Sequence, residues 1–71
     1  MRNNIKYLRE KSGLSRKELS ERSGVHYKKI TDYENNYIKI ENVTIGNLDR
    51  IATALHCTLD ALCRDDTDNN E

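Results

Sequence analysis

Apolar positions recur at helical spacing along almost the whole chain. Ile5 and Leu8 stand i, i+3 within NNIKYLREKS, which predicts a first helix over 3–12. Asn3 or Asn4 can cap it, and Gly13 ends it after Lys11, a cation suited to the negative end of the helix dipole. Leu14 then enters the core and Ser15 opens a second helix that runs to about Ser23. Ser15 with Glu18 makes the S-x-x-E capping box, in which side chain and backbone satisfy each other's orphan amides. Leu14 and Leu19 mark its apolar side, and Ser20 is the small residue expected where helices cross. Gly24 can adopt the left-handed conformation that lets the next helix leave at a steep angle. Val25, Ile30 and Tyr33 place that third helix at about 26–35. His26 is an unusual starting residue, since Ser or Thr caps better, and Asn35-Asn36 is a plausible stop.

The segment YIKIENV, 37–43, alternates polar and apolar residues like a strand. A lone strand has no partner in so short a chain, so the segment reads as an extended connection that buries Ile38 or Ile40. Thr44 caps a fourth helix with the stripe Ile45, Leu48, Ile51, Ala52 and Leu55, and His56 lies at its last turn. Thr58 caps a short fifth helix with Leu59 and Leu62 inward. The pattern predicts one all-α domain over 1–64. The acidic run DDTDNNE at 65–71 has nothing to bury and is expected to be a disordered tail. No internal repeat is present.

Composition narrows the picture. With 71 residues, no Phe, Trp or Pro, and about a third hydrophobic content, the core must be built from Leu, Ile, Val, Ala and some of the four Tyr. The formal net charge is zero, which on its face argues against a nucleic-acid binder. The two halves differ, however: residues 1–40 carry ten Lys or Arg against five Asp or Glu, and residues 41–71 carry two against seven. A basic half can face phosphates while an acidic half faces away. No run approaches the roughly eighteen apolar residues of a membrane helix, and MRNNIKYLREK lacks a signal-peptide core. A cytoplasmic protein without membrane attachment is expected.

Candidate chemistry is sparse. Cys57 and Cys63, with His56 alongside, lack the paired short spacings of a structural zinc site, and both fit better as small hydrophobes carrying free thiols. There is no Gly-rich phosphate loop, no H-E-x-x-H and no evident carboxylate pair, so neither an enzyme nor a cofactor is expected. What remains is the outward side of the third helix. His26, Tyr27, Lys28, Lys29 and Asp32 form a polar, mostly basic surface with an aromatic in it, as a helix laid in a major groove requires.

Three stretches carry a family resemblance: LREKSGLSRKELSERSGV at 8–25, ITDYEN at 30–35 and LDRIATALHCTLDAL at 48–62. Together they resemble the Cro/repressor-like, Xre-type helix-turn-helix regulators. The resemblance implies a compact five-helix bundle of the lambda-repressor-like type, with helices two and three forming the helix-turn-helix. Arg9 and Glu34 match a pair that in the family often forms a buried salt bridge. Arg16 matches a position usually held by Gln that contacts a DNA phosphate, and Lys17 lies beside it. Tyr27, Lys28 and Asp32 match the main base-reading positions, flanked by His26, Lys29 and Thr31. Asn35 and Asn36 match a turn that often offers a backbone amide to phosphate. The chain departs from the pattern in Ser20 for Ala, in Asn36 for Gly, and in a loop about three residues longer than in compact members. That longer loop brings Tyr37 and Lys39 to the DNA backbone or leaves them solvated.

Each contact has a plainer counterpart. Lys28 can donate to guanine O6 or N7 and Lys29 to a phosphate, or both can be ordinary solvated lysines. Tyr27 can touch a thymine methyl or a phosphate, or be a surface tyrosine. Asp32 can accept from cytosine N4 or form an i, i+4 pair with Lys28. The reading favoured is a sequence-specific regulator, a repressor, binding double-stranded DNA at a pseudo-palindromic operator as a homodimer. Its dimer surface is expected near Ala61, Leu62 and Cys63. The alternatives are an antitoxin-type or accessory module whose main partner is a protein, and a helix-turn-helix scaffold that has lost DNA binding.

Overall fold

The computed structural model describes residues 3–63; the acidic run expected to form a tail lies outside the described residues. Among those residues five α-helices follow one another: α1 Ile5–Lys11, α2 Arg16–Ser23, α3 Tyr27–Glu34, α4 Ile45–Ala54 and α5 Leu59–Cys63. A single 3-10 turn, Ile40–Asn42, interrupts the connection between α3 and α4. No strand occurs among the described residues, and the alternating 37–43 segment is a connection that buries Ile40 and partly buries Ile38.

Each helix contributes one side chain that is wholly removed from water: Ile5, Leu19, Ile30, Ile51 and Leu62. Burying a side chain of this size contributes about 1.5–3 kcal/mol, so these five form the centre of the thin core. Leu14, Val25, Tyr33, Val43, Leu48, Ala52 and Leu55 close around them. Two expected core positions are on the surface instead. Ile45 is 74% exposed and Leu59 37% exposed. Both are the first residue of their helix, one turn before the axis crosses the core. Conversely Leu62, expected at an exposed dimer patch, is fully buried.

Local chemistry sets the helix ends. The Ser15 hydroxyl accepts from the Glu18 amide at 3.1 Å while the Glu18 carboxylate accepts from the Ser15 amide at 2.8 Å, so the capping box is closed. Thr44 and Thr58 cap α4 and α5 by accepting from the Asn47 and Ala61 amides. Every helix from α1 to α4 then stops on a residue with positive φ: Gly13, Gly24, Asn36 and His56. After α1, α3 and α4 the pattern is a Schellman motif, with Leu14, Tyr37 and Cys57 amides returning to the carbonyls of Arg9, Asp32 and Ala52. Asn36 and His56 fill positions where glycine carries no steric cost.

The first two described residues tie the fold together. Asn3 Oδ1 accepts from the Ile5 amide at 3.0 Å, which makes it the working cap of α1, and its Nδ2 donates to the Tyr33 carbonyl at 3.1 Å. Asn4 makes no side-chain cap; its Nδ2 donates to the Ala61 carbonyl and its backbone amide to the Leu62 carbonyl. The start of α1 is thereby held to the ends of α3 and α5.

Candidate nucleic-acid interface

The surface of α3 is organised by what its other side must bury. Ile30 and Tyr33 face the core, and the Glu34 side chain is 0% exposed. A carboxylate in the last turn of a helix meets the negative end of the dipole, so it needs cations. Two guanidiniums supply them. Arg9 Nε lies 2.6 Å from Glu34 Oε2 and Arg9 Nη2 3.3 Å from Oε1, while Arg16 Nε lies 2.9 Å from Oε1. Arg9 also donates through Nη1 to the Leu14 carbonyl at 2.7 Å, which locks the α1–α2 connection into the same cluster. The Arg9–Glu34 bridge expected from the family pattern is thus present, with a second arginine that sequence reasoning had placed elsewhere.

Arg16 is drawn inward by this arrangement; its side chain is only 29% exposed. The Glu34 carboxylate, and after it the Tyr27 hydroxyl, push its pKa above the ordinary guanidinium value. The turn between α2 and α3 is equally fixed, because the buried Ser23 hydroxyl accepts from the Val25 amide at 3.1 Å. The far end of α3 is held as well. Tyr33 accepts from Asn3 at its carbonyl and from Asn47 Nδ2 at its hydroxyl, 3.1 Å in each case.

The outward side of α3 is left open. His26 caps the helix, its Nδ1 accepting from the Lys28 amide at 3.1 Å, so the poor cap expected from sequence is nonetheless made. Tyr27, Lys28 and Lys29 are exposed, and Thr31 and Asp32 are half-buried. The Thr31 hydroxyl donates to the Tyr27 carbonyl at 3.2 Å within the helix. His26, Lys28, Lys29 and Asp32 line a shallow depression of about 310 Å³. Among the described residues no ion pair joins Asp32 to Lys28, so the i, i+4 pair expected as its plainer role is not formed. Lys17 and Lys39 are exposed, and Tyr37 is 78% exposed beyond the helix end. The amides of Asn35, Asn36, Tyr37 and Ile38 are all spent on carbonyls of α3. The family's backbone-amide donor to phosphate is therefore engaged inside the protein at this turn.

A chain whose second and third helices meet at a glycine turn, with the third anchored on its inner side and open on one basic side, has the geometry of a helix-turn-helix. A family model described as helix-turn-helix matches residues 5–62, most of the chain. The chain belongs to the Xre-type, lambda-repressor-like helix-turn-helix family. No curated protein matches it. The family is one of DNA-binding regulators, and the all-α bundle is its fold. Among the described residues no helix is long and apolar enough to cross a membrane, and no cluster of His, Cys, Asp and Glu is placed to hold a metal ion. Cys57 and Cys63 are free, half-buried thiols whose pKa values burial pushes up, for Cys63 with help from the nearby Asp60 carboxylate.

Proposed function

We propose that this helix-turn-helix protein is a sequence-specific repressor that lays α3 in the major groove of double-stranded DNA. The observation that carries the reading is the division of α3 itself. Ile30, Tyr33 and Glu34 are fixed from behind by three other helices, while Tyr27, Lys28 and Lys29 stand free in front. In this reading Lys28 donates to guanine, Asp32 accepts from cytosine N4, and Tyr27 meets a thymine methyl. Lys17, His26 and Lys29, and Tyr37 and Lys39 beyond the helix, serve the phosphates on either side, whereas the Thr31 hydroxyl and the Asn36 amide are already spent on carbonyls of α3.

One module of this size contacts too few base pairs for high affinity, so the proposal includes a homodimer on a pseudo-palindromic operator, with half-sites about 34 Å apart. Exposed Ile45 and Leu59, with half-buried Ala61 and Cys63, offer apolar surface to the second copy. Repression follows from occupying a promoter in the cytoplasm, without catalytic chemistry or a cofactor. The test is the double variant Tyr27→Ala, Lys28→Ala, with affinity measured for a selected duplex. A loss of about tenfold or more agrees with direct readout. Unchanged affinity contradicts it.

A further inference from the structure

A second depression, of about 460 Å³, lies between α2 and α4 and shares no residue with the front of α3. The last turn of α2 supplies Arg22 and Ser23, and α4 supplies Asp49, Arg50 and Thr53, with His56 where that helix ends. Its volume is that of a small-molecule site. Opposite charges ring this space without closing on each other. Arg22, Asp49 and Arg50 are all exposed, and among the described residues no ion pair joins Asp49 to either arginine. Both helices also bring their last turn to the rim, where each dipole carries about half a negative charge. Positive and negative groups are therefore of similar weight. That balance suits neither a simple anion nor a simple cation, but a molecule carrying both charges.

Ser23 adds a second observation. It is 9% exposed, and its oxygen accepts from the Val25 amide at 3.1 Å. Its hydroxyl proton has no acceptor among the described residues, although the side chain lines the depression. A donor so nearly buried is costly to leave unpaired, and a ligand oxygen at this point satisfies it.

We propose that this depression binds a small zwitterion, a free α-amino acid. Its carboxylate lies on the Arg22 and Arg50 guanidiniums, whose planar forks match carboxylate geometry, and accepts from the Ser23 hydroxyl. Its ammonium lies on the Asp49 carboxylate and the carbonyls that end the two helices. Ser23 already holds the turn into α3 through Val25, so the ligand touches a residue that fixes the helix-turn-helix. The site does not depend on which DNA sequence α3 reads.

The experiment titrates the full chain, labelled with nitrogen-15, with each of the twenty standard L-amino acids and follows the backbone amide shifts. Saturable shifts are expected with at least one of them, centred on the amides of 22–25 and 49–56. For that amino acid, the analogue without its amino group and the analogue without its carboxylate should each bind at least about tenfold more weakly. Asp49→Asn and Arg50→Gln should each weaken the amino acid by about tenfold as well, and both replace exposed side chains.

No saturable shift with any amino acid up to about 10 mM would overturn the site. Equal affinity for the analogue without the amino group would overturn it too, since the arginines would then be holding any carboxylate. Shifts centred on 27–32 would place the ligand on the front of α3 and contradict the assignment. Unchanged affinity in both variants would do the same. The comparison of analogues uses the wild-type chain, so it stays decisive where a variant folds poorly.

Discussion

Arg9 Nε donates to Glu34 Oε2 across 2.6 Å, between side chains that are 9% and 0% exposed. The pair joins α1 to the last turn of α3 and anchors the recognition helix from behind. Removing one partner of a buried pair leaves an uncompensated charge, which costs about 3–5 kcal/mol. Glu34→Ala leaves two guanidiniums crowded without their anion and should destabilise the fold by about that amount. Urea unfolding measures it. A loss below about 1 kcal/mol would mean that the cluster is held by packing rather than charge.

The cap of the recognition helix rests on an imidazole. His26 Nδ1 accepts from the Lys28 amide, a role usually taken by a hydroxyl or carboxylate. His26→Ala should cost about 1 kcal/mol, and His26→Ser should restore or exceed wild-type stability. Thermal unfolding checks both. Equal stability of all three proteins would show that the cap contributes nothing.

Asn36 adopts φ 61°, and its Oδ1 is buried without a hydrogen-bond partner among the described residues. Glycine removes both costs. Asn36→Gly should therefore raise stability by about 1 kcal/mol, which urea unfolding would detect as a higher midpoint with an unchanged slope. A destabilised variant would mean that the Asn36 side chain makes a favourable contact of its own.

The capping box carries a pH dependence of known sign. The Ser15 amide and then the Ser15 hydroxyl hold the Glu18 carboxyl below its ordinary value. The unfolded chain therefore binds this proton first as the pH falls. The contribution is whole above the ordinary glutamate range and is lost as the pH drops through the lowered folded value. Glu18→Gln should flatten that part of the acid limb in a stability-against-pH series and leave the neutral region nearly parallel to wild type. An unchanged acid limb would exclude Glu18 as its source.

Local signals in the sequence were sufficient for the fold. Ser15 and Glu18 are three residues apart, Gly13 and Gly24 permit positive φ outright, and Thr44 and Thr58 cap within a single turn. Each element could be read from its own residues. Three features depended on the assembled chain. Ile45 and Leu59 match an apolar stripe but open their helices just before the core, and spacing alone does not distinguish the two situations. Asn3 and Asn4 look like alternative caps, yet their amides bond to carbonyls 30 and 57 residues away. Arg16 reads as a free cation because Glu34 lies 18 residues on, at a distance set only by the packing of α2 on α3. His56 gave little sign of a left-handed helix end, since histidine adopts that conformation more readily than most residues but far less than the glycine that usually marks it. At the interface, the exposed basic side of α3 was legible, whereas the inward commitment of Arg16 was not.

Whether α3 reads DNA sequence is decided by selection from a random duplex pool with the purified protein near physiological salt. Enrichment of an inverted repeat is expected, its half-sites one helical turn apart to match two recognition helices about 34 Å from each other. A pool that stays random after repeated rounds, with only weak and steeply salt-dependent binding, would contradict it.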